Sequence, residues 1–412
     1  MKLKSQNIRI EDFTYELPDK KIAEFPLEKR DHSKLLVYKE GFIEQDRFYH
    51  IDHYVPPGST LILNNTKVIE ARLLFQKETG GVIEIFCLEP NEQFLEQAML
   101  QKENAVWQCL IGGASKWKPG QVLHKNVSIS GELVQLSAHY LEKKEDYFLI
   151  HFSWEPGHYT FVELVHAAGA IPLPPYIKRS AEKLDTERYQ TVFSKYEGSV
   201  AAPTAALHFT QGILDNLQSK QISIDYVTLH VGAGTFKPVK TERMAEHHMH
   251  GEQFTVKKET LELLLASKKI IAVGTTSLRT LESLYWLGLK ELPLTAEELQ
   301  LEQWEAYDLA EDFPGVPYQE SLQNLLHWMA KHSLHQIHCR TSLLIVPGYE
   351  FKIPEGLITN FHQPQSTLLL LVAAFIGEDW RKVYQYALNN EFRFLSYGDS
   401  SLLWKNNEKK TY

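Results

Sequence analysis

The chain has 412 residues, with 43 Lys plus Arg against 52 Asp plus Glu and a formal net charge of −9. At roughly 100–200 residues per domain, this length accommodates two or three domains. Hydrophobic residues at 43% and charged residues at 23% exclude disorder, collagen-like repeats and coiled coil as main themes, and the acidic balance excludes a general nucleic-acid coat, so any polyanion must meet a local patch.

The N-terminus, MKLKSQNIRIEDF, is charged throughout and lacks the apolar stretch of a signal peptide. DHSKLLVYK then reads as a strand, and VPPGST as a turn into a second strand, TLILNN. From Leu63 to His151 the texture changes. KVIEARLLFQKETGGVIEIFCLEP alternates on both sides of Thr79-Gly80-Gly81, a hairpin signature in which glycine supplies positive φ. VWQCLIGG, QVLHKNVSISGELVQLSAHYL and DYFLIHFSW continue as β-rich runs, broken by Pro119-Gly120 and Gly131. Short strands without helical period predict a small antiparallel barrel.

Beyond residue 152 the pattern alternates between helix and strand. YTFVELVHAAG predicts a helix ending at Gly169. Residues 178–203 are polar, long and without period, the mark of a functional or disordered loop. PTAALHFTQGILDNLQSK holds a helix capped by Thr210, ISIDYVTLHVG is a strand, and IIAVGTTSLRTLESLYWLG is a buried strand, a turn and a helix. Residues 290–337, acidic and then amphipathic, predict a helical surface insertion. STLLLLVAAFIG is an apolar helix capped by Ser366 or Thr367, and its run Leu368–Ile376 is about half the ~20 residues of a membrane span. The expected fold class is an α/β core, residues 1–62 and 152–412, interrupted by an inserted antiparallel β-barrel domain at 63–151. No membrane partner is expected.

Chemistry concentrates at a few places. Cys87, Cys109 and Cys339 form no C-x-x-C pair, which disfavours a disulfide framework or thiolate zinc site and fits a reducing cytoplasm. Gly232-x-Gly234 follows a strand, but Lys237 and Pro238 stand where a dinucleotide fingerprint needs a third glycine and a helix. A bend close to a ligand and a plain glycine turn both remain open. In VGTTSLRT, Thr275, Thr276 and Ser277 sit at a helix start where free N–H groups favour a carboxylate or phosphate, with Arg279 in the first turn; plain capping is the alternative. His208 lies at a helix start, His230 at a strand end and His362 at a helix mouth. The run Glu246-His247-His248-Met249-His250 lacks the H-E-x-x-H order, so no metal is expected.

The blocks FPLEKRD (25–31), LNNTKVIEARL (63–73), ETGGVIEI (78–85), IPLPPYI (171–177), RYQTVF (188–193), AAPTAALHFT (201–210), VTLHVGAGTFKPV (227–239), EHHMH (246–250), AVGTTSLRTLES (272–283), PGYEFK (347–352), TNFH (359–362), STLLLLV (366–372) and FRFLSYGDS (392–400) occur in order. Together they resemble the S-adenosylmethionine:tRNA ribosyltransferase-isomerase family of queuosine biosynthesis, over residues from about 11 to 404. The resemblance implies that the ribosyl portion of S-adenosylmethionine, a consumed co-substrate, is moved onto 7-aminomethyl-7-deazaguanine at the wobble position of tRNA. There it rearranges to the epoxycyclopentanediol of epoxyqueuosine, with release of adenine and methionine. It also implies an α/β core interrupted by a β-barrel, in a cytoplasmic protein expected to be a monomer.

On that resemblance, Thr275, Thr276, Ser277 and Arg279 are assigned to an anionic group, methionine carboxylate or tRNA phosphate. His208, His230 and Asp399 become acid/base candidates. Gly232, Gly234 and Thr235 would border the adenosine, with His362 beside the substrate, and Asn64, Asn65 and Arg72 would orient it where barrel meets core. Lys178, Arg179, Lys183, Arg188 and Lys195 form a candidate RNA patch, with solvated loop charge as the alternative. The chain departs from the family pattern at Ala206 (usually Gly), at Gln363 and Gln365 (usually Leu and Arg), at Arg340-Thr341-Ser342 (usually W-T-D) and in the extra 290–337 segment. These departures bear on substrate affinity and tRNA docking rather than on the fold. Two rival readings are a metal-dependent hydrolase built on the His-rich run, and a non-catalytic RNA- or nucleotide-binding relative.

Overall fold

The computed structural model describes residues 2–77, 79–118, 120–145, 147–232 and 239–406. In chain order, helix α1 (Lys2–Gln6) precedes the hairpin β1 (Lys34–Lys39) and β2 (Phe42–Arg47), then β3 (Ser59–Asn64) and β4 (Thr66–Val68). A second region follows: β5 (Arg72–Gln76), β6 (Val82–Pro90), α2 (Leu95–Met99), β7 (Asn104–Gly112), β8 (Val122–Ile129), β9 (Glu132–Lys143), β10 (Phe148–Glu155), α3 (Phe161–Ala168) and β11 (Gly169–Ala170). The chain returns through α4 (Lys183–Arg188), β12 (Tyr196–Ser199), α5 (Gln211–Ser219), β13 (Ser223–Leu229), β14 (Glu252–Lys257), α6 (Lys258–Ala266), β15 (Lys269–Val273) and α7 (Thr275–Leu287). It ends with β16 (Leu299–Leu301), α8 (Glu305–Asp312), α9 (Tyr318–Lys331), β17 (Gln336–Thr341), β18 (Gly356–Asn360), α10 (Thr367–Ile376), α11 (Asp379–Asn389) and β19 (Ser400–Trp404).

The large sheet has ten strands in the order β16-β17-β14-β13-β3-β15-β18-β19-β1-β2. Its centre, β13-β3-β15-β18, is parallel, so four strands deliver their carboxyl ends to one edge. These strands read as continuous apolar runs because both faces are covered. Ile62, Ile270, Ala272 and Leu357 point into a core shared with α7, α9 and α10, while Leu61, Leu63, Ile271, Val273 and Ile358 point into a second core shared with α5. Thr210 caps α5 by accepting from the Ile213 N–H at 3.3 Å, and Ser366 caps α10 by accepting from Leu369 N–H at 3.2 Å.

The second sheet has seven strands in the order β11-β5-β6-β7-β10-β9-β8, all antiparallel. The predicted turn at Thr79-Gly80-Gly81 joins β5 to β6, with Gly80 at φ 83° and Gln76 opposite Val82. Alternate residues (Ile83, Ile85 and Cys87; Ala105, Trp107 and Cys109; Ile150, Phe152 and Trp154) face one core, and α3 adds Phe161, Leu164 and Val165 to it. The barrel expected from sequence is present only in part. The sheet curls, but no ladder joins β5 to β8; Lys125 on β8 spans the seam by donating from Nζ to the carbonyls of Leu74 and Ala168, at 3.0 and 2.7 Å.

The 290–337 segment is not a mere surface addition. It supplies β16 to the sheet edge, and α9 buries Leu322, Leu325 and Met329 against the main core. Its polar face is what the sequence displays; the apolar face completes the cover over α7. Among the described residues no helix is long and apolar enough to cross a membrane.

Candidate active site

Ligands of open α/β sheets bind beyond the carboxyl ends of parallel strands. Here those ends bring together His230 after β13, Gly274 after β15, and Asn360 and His362 at the end of β18. Two connected hollows lie there. The outer cleft, about 2060 Å³ with its mouth included, runs between the sheets and is lined by Glu89 of β6 together with His230, Gly232, Glu252, Arg279 and Arg340. The inner pocket, about 670 Å³, is lined by Ala202, Gly274, Asn360, His362 and Ser396. Val231, Thr275, Thr276 and Leu368 border both.

His230 carries the clearest chemistry. Its Nδ1 lies 3.1 Å from the Thr66 hydroxyl, which itself donates to the Tyr196 carbonyl at 3.3 Å. The Thr66 oxygen therefore accepts from Nδ1–H, and the Nε2 lone pair is left without a partner among the described residues. Burial pushes this imidazole from 6.5 down to about 4, even though one edge opens on the cleft, so it is in its basic form at neutral pH. Gly198 makes the placement possible. At φ 136° a Cβ there would stand 2.4 Å from Leu95 Cδ2 and 3.2 Å from His230 Nδ1. Gly198→Ala is expected to displace the ring and lower kcat by ~10²-fold, with the melting curve as the control for folding.

The start of α7 behaves as its sequence implies. Gly274 (φ 92°) is its N-cap and no side chain caps it, so the positive end of a 13-residue helix is open to the hollows. Thr275 and Thr276 line them, and Thr276 Oγ1 is buried without a partner among the described residues. Ser277 is fully buried but borders neither hollow. Arg279 differs from expectation: its Nη1 is paired with Glu252 at 2.5 Å, both side chains being 8% exposed, and its Nε donates to the Leu343 carbonyl at 3.2 Å. Glu252 also accepts from Gly232 N–H at 3.3 Å. The cation is thus already neutralised by a carboxylate, and its role is to hold the Gly232 bend; only Nη2 lacks a partner among the described residues.

Other expected residues are placed differently. Asp399 is 2% exposed, and its two oxygens accept from the main-chain N–H of Lys34 and Arg393 at 2.8 and 2.7 Å. Burial raises its pKa against those hydrogen bonds, yet both oxygens are occupied, so it ties segments together rather than moving protons. His208 is buried behind the inner pocket, where Asn360 Nδ2 lies 3.3 Å from its Nε2. Burial depresses it to about 4, the nearby Arg393 and Arg30 acting in the same direction and the Arg30 carbonyl against it. The other side-chain atom of Asn360, Oδ1, is buried and unpartnered among the described residues. His362 borders the inner pocket with Nε2 3.0 Å from Thr359 Oγ1, and burial takes it down to about 3. Asn360 and Glu252 were not among the sequence candidates. The signal for the former was a polar residue ending a buried strand two positions before His362.

Asn64 does not face a ligand. Its Nδ2 donates to the Leu229 carbonyl at 2.9 Å while its Oδ1 accepts from the N–H groups of Leu229 and Thr66, and Asn65 Oδ1 accepts from the Thr228 hydroxyl. Both fasten β3 to β13 and so set the position of His230. Arg72 lies on the small sheet, over the Phe86 ring and 3.5 Å from Glu84, and borders neither hollow. Gly234 and Thr235 lie outside the described residues. In the polar loop, Arg179 is clamped on buried Asp185 through two nitrogens at 2.7 and 2.8 Å, Lys178 pairs with Asp19, Lys195 lies over the Tyr196 ring, and Lys183 is exposed. Arg188 donates to the carbonyls of Glu28 and Leu27. His247, His248 and His250 line the outer cleft. A group with ligand atoms within 4.8 Å of one another lies elsewhere, at Asp46, His50 and His53.

The family model described as queuosine biosynthesis protein matches residues 10–403. Proteins named S-adenosylmethionine:tRNA ribosyltransferase-isomerase are similar: that of Finegoldia magna is 38% identical over 401 residues, 95% of this chain and 97% of its own length. That of Legionella pneumophila (strain Paris) is 37% identical over 400 residues, 95% and 99% of the two chains, and that of Acetivibrio thermocellus 37% over 405 residues, 96% and 100%. A crystal structure of S-adenosylmethionine tRNA ribosyltransferase from Thermotoga maritima is 29% identical, covering 95% of this chain and 99% of that one with a TM-score of 0.45. The chain belongs to the queuosine biosynthesis protein family.

Proposed function

We propose that this chain is an S-adenosylmethionine:tRNA ribosyltransferase-isomerase, which transfers and rearranges the ribosyl group of S-adenosylmethionine onto 7-aminomethyl-7-deazaguanine in tRNA. The family membership supports the activity, and the observation that carries the site is the unpartnered His230 Nε2 beside the open start of α7. A sulfonium acidifies the hydrogens on its neighbouring C5′. The C5′ proton leaves to His230 Nε2; the substrate amine bonds C1′ as the C1′–adenine bond breaks, and adenine leaves with a proton of that amine. The C1′–O ring bond then opens to an iminium, the C5′ carbanion bonds C1′ to close the five-carbon ring, and the C4′ oxygen displaces sulfur from C5′, which forms the epoxide and releases methionine. The α7 N-terminus suits the methionine carboxylate, and Asn360 Oδ1 suits a donor on the nucleoside. Glu89, raised in pKa by burial against the pull of Arg340 and His250, faces the cleft from the small sheet. In this reading residues 63–151 are an inserted domain that forms one wall of the cleft. Metal-dependent hydrolysis is not favoured by the family.

The enzyme acts on tRNA in the cytoplasm. A monomer accords with exposed apolar side chains that are scattered over separate elements, such as Phe42, Leu100, Leu133 and Leu294. Incubation with S-adenosylmethionine and precursor tRNA tests the activity: adenine release that requires both is expected, and release of adenine without the RNA, or none, contradicts it. Of the loop cations, Lys183, Arg188 and Lys195 form no ion pair among the described residues, which supports phosphate contact.

The buried imidazoles also set a pH dependence. His208, His230 and His362 have pKa values of about 4, 4 and 3 in the folded chain against ~6.5 unfolded. Between these values the unfolded state binds more protons, so stability is fully present above pH ~6.5 and is lost as pH falls through the folded values. A single such histidine accounts for roughly 3 kcal/mol at pH 4. The melting temperature is expected to fall steeply below pH ~6.5, less so in His208→Asn, while kcat/KM shows no histidine limb between pH ~6 and ~7.

A further inference from the structure

A third hollow, about 290 Å³ with its mouth included, opens beside the inner pocket and shares Ser396 with it. Arg30, Arg188 and Arg393, from segments far apart in the chain, converge on it. All three are half-buried, and none forms an ion pair among the described residues. Their recorded side-chain bonds run to main-chain carbonyls: Arg30 to Gln190 at 3.0 Å, Arg188 to Glu28 and Leu27 at 3.0 and 2.5 Å, Arg393 to Phe25 and Tyr397 at 3.2 and 2.9 Å. Three cations are thereby fixed in place with no carboxylate in ion-pair contact among the described residues, Asp399 acting on Arg393 only from a distance. Burial holds Arg30 and Arg393 below the usual arginine range, and Arg188 adds to this for Arg30, with Glu187 and Asp31 opposing. The Ser33 hydroxyl, on the same wall and 1% exposed, is buried without a partner among the described residues.

We propose that this arginine pocket seats one backbone phosphate of the tRNA substrate, next to the cleft that takes the reacting nucleoside. A phosphodiester brings one negative charge, two free oxygens for guanidinium forks and no cation of its own. The carboxylate end of methionine also carries an ammonium, for which the pocket offers little: both side-chain oxygens of Asp399 are already held by main-chain N–H groups. The proposal rests on the activity proposed above.

The test is tRNA binding by the full chain, carrying Arg30→Gln, Arg188→Gln or Arg393→Gln, over a salt series. Each variant is expected to bind roughly tenfold more weakly, and the slope of log Kd against log salt to flatten by about 0.7, while KM for S-adenosylmethionine stays put. Arg393→Lys, which keeps the charge and loses the fork, is expected to weaken binding with the slope retained; it decides the matter if a Gln variant loses its cooperative melt. A raised KM for S-adenosylmethionine with unchanged tRNA binding overturns the proposal, as do variants that bind like the wild type. A wild type that binds no tRNA overturns the pocket and the activity together.

Discussion

Replacing Arg279 by Leu is expected to destabilise the fold by about 3–5 kcal/mol, because it leaves the Glu252 carboxylate buried without its counter-charge. Both side chains are only 8% exposed and meet at 2.5 Å, so water replaces the lost partner only in part. The double variant Glu252→Leu/Arg279→Leu is expected to recover most of the loss, since apolar side chains in place of a buried pair are often neutral. Urea unfolding of the four proteins measures the coupling. The double variant is nonetheless expected to lose affinity for S-adenosylmethionine, because Glu252 also accepts from Gly232 N–H and so shapes the cleft floor. Equal losses in single and double variants would show that the pair is not coupled.

His230→Ala is the second large effect. Loss of a positioned general base lowers a rate by about 10²–10⁴-fold, and binding of S-adenosylmethionine is expected to change little because the base acts on a hydrogen rather than on an anchoring group. Thr66→Val removes the acceptor that holds the Nδ1 proton. It frees the ring to adopt the other tautomer, and a smaller fall in kcat at unchanged KM is expected. Single-turnover adenine release separates the two steps. A His230→Ala enzyme with wild-type turnover would move the deprotonation to another group.

What the sequence made legible was local. Thr210, Ser366 and the Thr79-Gly80-Gly81 turn act within three or four residues of themselves, so their chemistry is written in the adjacent letters. Six of the seven strands of the small sheet were recognisable, the two-residue β11 being too short to show, but whether β5 meets β8 depends on the curl of the whole sheet. Of the residues singled out in the sequence, His230, Thr275, Thr276 and His362 border the hollows. Asn64 at the end of β3 and Asp399 just before β19 look alike in sequence whether they face a cleft or a main chain. Their partners, Leu229 for one and Lys34 for the other, are distant in sequence. The partner of Arg279 was hidden for the same reason: Glu252 sits on another strand.

The most direct test uses S-adenosylmethionine carrying deuterium at both C5′ positions, turned over on precursor tRNA and followed by mass spectrometry of the modified nucleoside. The account predicts that one deuterium is lost to solvent through His230, that the ribosyl carbons remain on the RNA, and that the loss disappears with activity in His230→Ala. Product that keeps both deuteriums, or RNA that gains only a methyl group, would contradict it.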